Sequence, residues 1–220
     1  PQPFIIPQLN LKILKIYFVN FDLKKINGGI NVRHAKDGEK IKALDGAEYK
    51  LSREMVVIAD SDKALAIAGI MGGALSGVSN ETTDIVLESA TFDQVSIRRA
   101  SRALNLRSES SLRFEHGISE DLAHRALASA VKLVTELAGG SAGPMADSRA
   151  GAYKPLKYSL SVSEAQKLIG APIAAGEMKR ILTDLGFKVQ GTGLKMTTTV
   201  PYFRDNDIES SRDLVEEIAL

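Results

Sequence analysis

Residues 67–117 read IAGIMGGALSGVSNETTDIVLESATFDQVSIRRASRALNLRSESSLRFEHG. A diglycine, Gly72-Gly73, follows an apolar run. Glycine tolerates positive φ and has no Cβ, so a ligand can approach such a backbone closely. An isolated pair also reads as a plain tight turn. The Lys-Ser/Thr ending of a phosphate-binding loop is missing. The segment TDIVLES, 83–89, predicts a strand with Glu88 at or near its end. A carboxylate there is either buried and paired or set at a pocket rim, because burying it unpaired is costly. Asp93 is a good N-cap for a helix over 94–104, and Asn105 suits a left-handed helix end. That helix carries Arg98, Arg99 and Arg102, with Arg107 and Arg113 following. Such a cluster either neutralises phosphates or forms a solvated face with local ion pairs. A serine-rich loop around 108–110 follows the helix.

Upstream, 55–59 (MVVIA) and 64–70 are continuous apolar runs and predict buried strands. Asp45-Gly46 is a hairpin signal. Residues 1–21 mix apolar residues and lysine without a clear period, and we read them as an edge strand or a ragged start. Downstream, 120–138 has one apolar helical face, stopped by Gly139-Gly140. A Gly/Ala/Ser/Pro-rich stretch, 141–155, marks a domain boundary. It separates a unit over 1–148 from one over 157–220, with 149–156 as linker. The second unit predicts helices over 164–170, capped by Ser163, and 176–185, then a two-stranded wing. Helix, turn, helix and wing invite a DNA-binding reading, but the second helix sets Glu177 and Asp184 beside Lys179 and Arg180. Near the end, Asp207, Asp213, Glu216 and Glu217 form a dense acidic set. It suits a hard cation such as Mg²⁺, or a helix start where acids are stabilising in their own right.

The chain has 220 residues, a formal net charge of +1, three histidines and no cysteine. Overall charge therefore argues for neither nucleic acid nor membrane. Disulfides, thiolate metal sites and a cysteine nucleophile are excluded, which fits a reducing, cytoplasmic setting. No apolar run approaches the roughly 20 residues of a membrane span. The expected architecture is α+β: a mixed, largely antiparallel, barrel-like sheet core with flanking helices, then a small winged-helix-like unit.

Three long segments in order carry a family resemblance: ALAIAGIMGG with SGV behind it, DIVLESATFD with SIRRASRALNLRSESSLRFEHG, and VPYFRD with DLVEEIA. They resemble the β chain of bacterial phenylalanyl-tRNA synthetase across its B3/B4 and B5 modules. The resemblance implies an (αβ)₂ enzyme that joins phenylalanine to tRNA(Phe) using ATP and Mg²⁺. The aminoacylation site lies in the α chain, so ATP is not expected to bind here. It also implies hydrolytic editing of tyrosine mischarged on tRNA(Phe). Gly72, Gly73, Glu88, Ser108 and Ser110 match the editing pocket, with Glu88 recognising the tyrosine hydroxyl. Water is the nucleophile, and no side-chain base is assigned. Arg98, Arg99 and Arg102 become tRNA contacts. Asp207, Asp213, Glu216 and Glu217 match acids credited with a Mg²⁺ shared with the α chain. The family's Pro-x-His-Ala-Phe-Asp segment aligns with residues 17–22, where its proline and histidine are absent. A non-catalytic tRNA-binding and scaffolding role is therefore the competing expectation, and the chain reads as a fragment of a longer protein.

Overall fold

The structure, a computed structural model, describes residues 5–6, 19–148, 151–191 and 193–220, with Ile5, Ile6 and Val19 described by backbone alone. The chain divides into two compact units. The first comprises 1–118 with 123–150, and the second 119–122 with 151–220. Every strand pairing described is antiparallel. Among the described residues no helix is long and apolar enough to cross a membrane.

The first unit is built on two sheets. One has the order β1 (Ile5–Ile6), β9 (Ile85–Glu88), β2 (Val19–Asp22), so β9 lies in the middle. The other has the order β3 (Asn31–His34), β6 (Val56–Ala59), β7 (Ala64–Ile67), β8 (Met71–Gly72). A hairpin of β4 (Lys40–Lys42) and β5 (Glu48–Lys50) sits around Asp45-Gly46, with Gly46 at φ +86°. Side chains alternate along a strand, and both faces of β6 and β7 are buried. Ile58 and Ala66 pack in one cluster with Phe21 and Val86 from the other sheet. Val57, Ala59 and Ile67 pack in another with Ile97 and Ala100 of α1 (Gln94–Ala103). The β6–β7 pair is thus a shared middle layer, which is why its sequence is a continuous apolar run rather than an alternating one.

Asp93 caps α1 by accepting from the Ser96 N–H at 2.8 Å, and Asn105 follows the helix at φ +47°. The helix ends at Ala103, with Leu104 as its C-cap. The long helix α3 spans Glu120–Ala138 and buries Leu127, Ala130 and Val134. Two expectations for this unit need correction. The strand read as 64–70 stops at Ile67, because Gly69 takes φ +68° and turns the chain into β8. The stretch read as a serine-rich loop opens a short helix, α2 (Glu109–Phe114), whose capping box joins Ser108 and Ser111 reciprocally.

The second unit has α4 (Val162–Ile169), α5 (Ala175–Asp184) and α6 (Ser211–Ala219) around Leu160, Met178, Leu182, Phe187, Met196 and Leu214. Its sheet has three strands, in the order β10 (Lys157–Ser161), β12 (Lys195–Thr199), β11 (Lys188–Gln190), where two were expected. The added strand is β10, whose last residue also caps α4. Ser161, not Ser163, accepts from the Glu164 N–H.

A Cβ placed on Gly69 meets Ile97 Cδ1 at 2.7 Å and Phe92 Cδ2 at 2.8 Å, at a φ that L-residues resist. Gly139, at φ +71°, has open space around it. Gly69→Ala is expected to cost about 2–4 kcal/mol in urea unfolding, against about 1 kcal/mol for Gly139→Ala. Equal costs at the two positions would show that the close approach at Gly69 is unimportant.

Candidate functional site

Glu88 is the last residue of β9 and is registered opposite Val19 of β2. Alternation places it on the face of Val86, and directly paired residues place Phe21 on that same face. That face packs against Ile58, Leu65 and Ala66. The carboxyl is therefore led into apolar surroundings by the strand itself. The residue keeps partial exposure, while Oε2 is fully covered and has no hydrogen-bond partner among the described residues. No ion pair to Glu88 is formed among them either. Burial pushes its carboxyl up to about 8. Just beyond it, Ser89 Oγ donates to the Ala123 carbonyl of α3 at 2.7 Å and fixes the strand end.

The other expected pocket residues lie elsewhere in the unit. Gly72 ends β8, and a Cβ there meets Leu44 Cδ1 at 2.9 Å. Leu44 is 61% exposed, so its side chain can yield. Gly73 has a firmer reason to be glycine: a Cβ would lie 2.5 Å from the Leu65 carbonyl oxygen. Ser108 Oγ donates to the Ile70 carbonyl at 2.6 Å, and Ser110 Oγ donates to the Gly69 carbonyl at 3.0 Å. The structure thus brings Ser108 and Ser110 to the turn just before Gly72, whereas Glu88 stands on the other sheet. The serine hydroxyls hold α2 against the β7–β8 turn. Sequence reasoning passed over Gly69 and Ser111. Each carried only a weak local signal, a glycine interrupting an apolar run and a serine three residues after Ser108.

Arg98 and Arg102 lie one helical turn apart on α1. Arg98 Nη2 donates to the Glu115 carbonyl at 2.9 Å, and the Arg102 guanidinium makes no hydrogen bond or ion pair among the described residues. Arg99 lies near the Asp93 carboxylate and helps hold it below the usual range, behind the larger effect of the Ser96 hydroxyl and N–H. The three arginines do not share one role.

The acidic set of the second unit is largely committed within the chain. Asp207 and Glu217 both bind Arg204, each with a closest approach of 2.6 Å. Asp213 Oδ2 accepts from the N–H groups of Glu209 and Ser210 at 2.8 and 2.7 Å. These bonds, the Glu209 N–H first, hold its carboxyl below the usual carboxylate range. Glu216 is exposed on α6. Among the described residues no group of three or more His, Asp or Glu is gathered to hold a metal ion. The chain's own donor set does not fit Mg²⁺, because three of the four carboxylates already have partners.

Comparison with known proteins supplies the family. Residues 18–139 match the B3/4 domain model, and residues 158–220 match the tRNA synthetase B5 domain model. Phenylalanine–tRNA ligase beta subunits are similar over most of the chain. That of Vibrio cholerae is 44% identical over 200 residues, and that of Aliivibrio fischeri is 45% identical over 200 residues. Each alignment covers 90% of this chain and 25% of the relative. The chain thus spans about a quarter of the length of the curated relatives it matches. A crystal structure of an N-terminal fragment of the phenylalanyl-tRNA synthetase beta subunit from Pyrococcus horikoshii is also similar. It has a TM-score of 0.49 and 17% identity, and the match covers 98% of this chain and 69% of that one. At that level it adds nothing to the family match. With one model spanning more than half of its length and a second following in order, the chain belongs to the B3/4 domain family and continues into a tRNA synthetase B5 domain.

Proposed function

We propose that this chain is part of the β subunit of a phenylalanine–tRNA ligase, in which its B3/4 unit hydrolyses tyrosine wrongly esterified to tRNA(Phe). The partner is the α chain of an (αβ)₂ enzyme, and that chain holds the aminoacylation site and uses the ATP. Asp207, Asp213 and Glu217 of the second unit are already bonded within it. One observation carries the editing reading: the Glu88 carboxyl is buried with Oε2 unsatisfied among the described residues. With a pKa of about 8 it is mostly the neutral acid near pH 7, able both to donate and to accept. A phenol hydroxyl supplies the missing partner. A phenylalanine ring leaves it missing, which disfavours that ester by about 1–3 kcal/mol. An apolar synthetic pocket rejects an added hydroxyl weakly, so a second site that hydrogen-bonds the hydroxyl restores discrimination. Water is the nucleophile, with no side-chain base assigned.

The competing reading is a scaffold without hydrolysis. It is favoured by Ser108 and Ser110, whose hydroxyls are occupied by backbone carbonyls of the β7–β8 turn. Deacylation of Tyr-tRNA(Phe) by the intact β subunit with its α partner separates the two. Hydrolysis is expected, and Glu88→Ala is expected to reduce the preference for Tyr-tRNA(Phe) over Phe-tRNA(Phe) by about 10- to 100-fold. Unchanged selectivity would sink the role of Glu88, and no hydrolysis by the unaltered enzyme would leave the scaffold.

The same carboxyl makes stability depend on pH. Its folded pKa, about 8, lies above the ordinary 4.5, so the folded state binds the extra proton between those values. Stability is then fullest below about pH 4.5, falls as pH rises, and levels off above about 8. The ceiling is about 5 kcal/mol, and partial exposure of the residue reduces it. Glu88→Gln keeps the shape and removes the titration. Urea unfolding is expected to show the variant gaining on the parent from about pH 4.5 to about pH 8, with little further change above that. Parallel pH profiles would contradict the uncompensated burial.

A further inference from the structure

The corner between α1 and α2 holds a cavity of about 330 Å³. Arg98 and Arg102 reach it from α1, Asn105 and Arg107 from the connection, and Glu115 and His116 from the end of α2. Three arginines against one glutamate is a concentrated positive charge on a chain whose formal net charge is +1. The charges are weakly spent internally. Arg107 meets Glu115 at 3.3 Å with its own side chain 72% exposed, a pairing of small worth in water. Arg98 uses one guanidinium N–H on the Glu115 carbonyl, and the Arg102 guanidinium has no hydrogen-bond or ion-pair partner among the described residues. His116 Nδ1 lies 2.6 Å from the Leu112 carbonyl, which assigns the ring proton to Nδ1 in the neutral form.

From this geometry we infer that the α1–α2 corner is a phosphate-binding notch that seats one phosphodiester of the tRNA backbone, with Arg102 and Arg98 as its principal donors. The inference rests on the reading of the chain as tRNA-binding. It changes the residues involved: Arg107 and His116 enter, and Arg99, which lies near Asp93, leaves. Among the described residues no Phe, Tyr or Trp lines the cavity, and its one ring, His116, is tied through Nδ1 to the Leu112 carbonyl. Guanidinium donors around a small open hollow suit a phosphate group and carry no sequence preference. The notch therefore positions the nucleic acid and does not select it. Arg102 is the cleanest probe, because changing it removes no side-chain hydrogen bond or ion pair among the described residues.

The test uses the intact β subunit with its α partner, with tRNA(Phe) affinity measured across a salt series and inorganic phosphate titrated against the arginine Nε signals. Arg102→Gln is expected to weaken tRNA binding about 3- to 10-fold and to reduce the salt slope by about 0.7–1, equally for unrelated tRNA. Arg99→Gln is expected to do neither, and phosphate is expected to shift the Arg102 signal. Equal behaviour of the two variants, or no tRNA binding at all, overturns the notch. A phosphate response with tRNA affinity unaffected by Arg102→Gln marks a small-anion site and overturns the nucleic-acid assignment. None of these results bears on Glu88, and an unchanged tyrosine selectivity in Glu88→Ala leaves the notch standing.

Discussion

A carboxyl oxygen held out of water without a partner is costly, and Glu88 Oε2 has none among the described residues. Its strand is the middle of three, and Glu88 itself is registered opposite Val19 of β2. The face it shares with Val86 and Phe21 is closed by Ile58, Leu65 and Ala66. The bond from Ser89 to the Ala123 carbonyl pins the next residue. The group meets this by staying protonated through neutral pH. A neutral acid with an unsatisfied oxygen is a poor structural element and a good recognition element for a hydroxyl. A site carried on a strand is also held more firmly than one carried on a loop.

The second organising contact is the pair of hydroxyl bonds from Ser108 and Ser110 to the Ile70 and Gly69 carbonyls. They set the start of α2 against the β7–β8 turn. Because α1 packs on the same sheet through Ile97 and Ala100, the angle between α1 and α2 is determined by that layer. The arginines at the corner inherit their spacing from it. One buried layer, β6 and β7, thus supports the Glu88 face on one side and the basic corner on the other.

Much of this was legible in the sequence. The apolar runs at 55–59 and 64–67 are unbroken because both faces of those strands are covered. Asp93 and Asn105 bracket α1 for reasons local to their own side chains. Glu88 at a strand end follows from the run Ile85-Val86-Leu87 before it. The rest depended on tertiary partners. Gly69 reads as part of a strand until Phe92 and Ile97 are seen packed beside it. Residues 109–114 are too short for a helical period, and their capping box uses serine where glutamate or glutamine is the usual signal. Strand β10 gains its identity from pairing with β12, some forty residues away. The pairing of Arg204 with Asp207 and Glu217 joins residues three and thirteen positions apart, the second too far to read from local spacing. The long resemblance supplied the editing assignment, and no local pattern around Glu88 carries a reaction by itself.

The most direct test is the titration of Glu88 itself. The carboxyl carbon-13 shift of Glu88, followed by NMR in the free chain, is predicted to move with a midpoint near the value of about 8 that burial imposes. A midpoint near the ordinary 4.5 would mean that the group is solvated or paired, and the account of a neutral acid waiting for a phenol would be wrong.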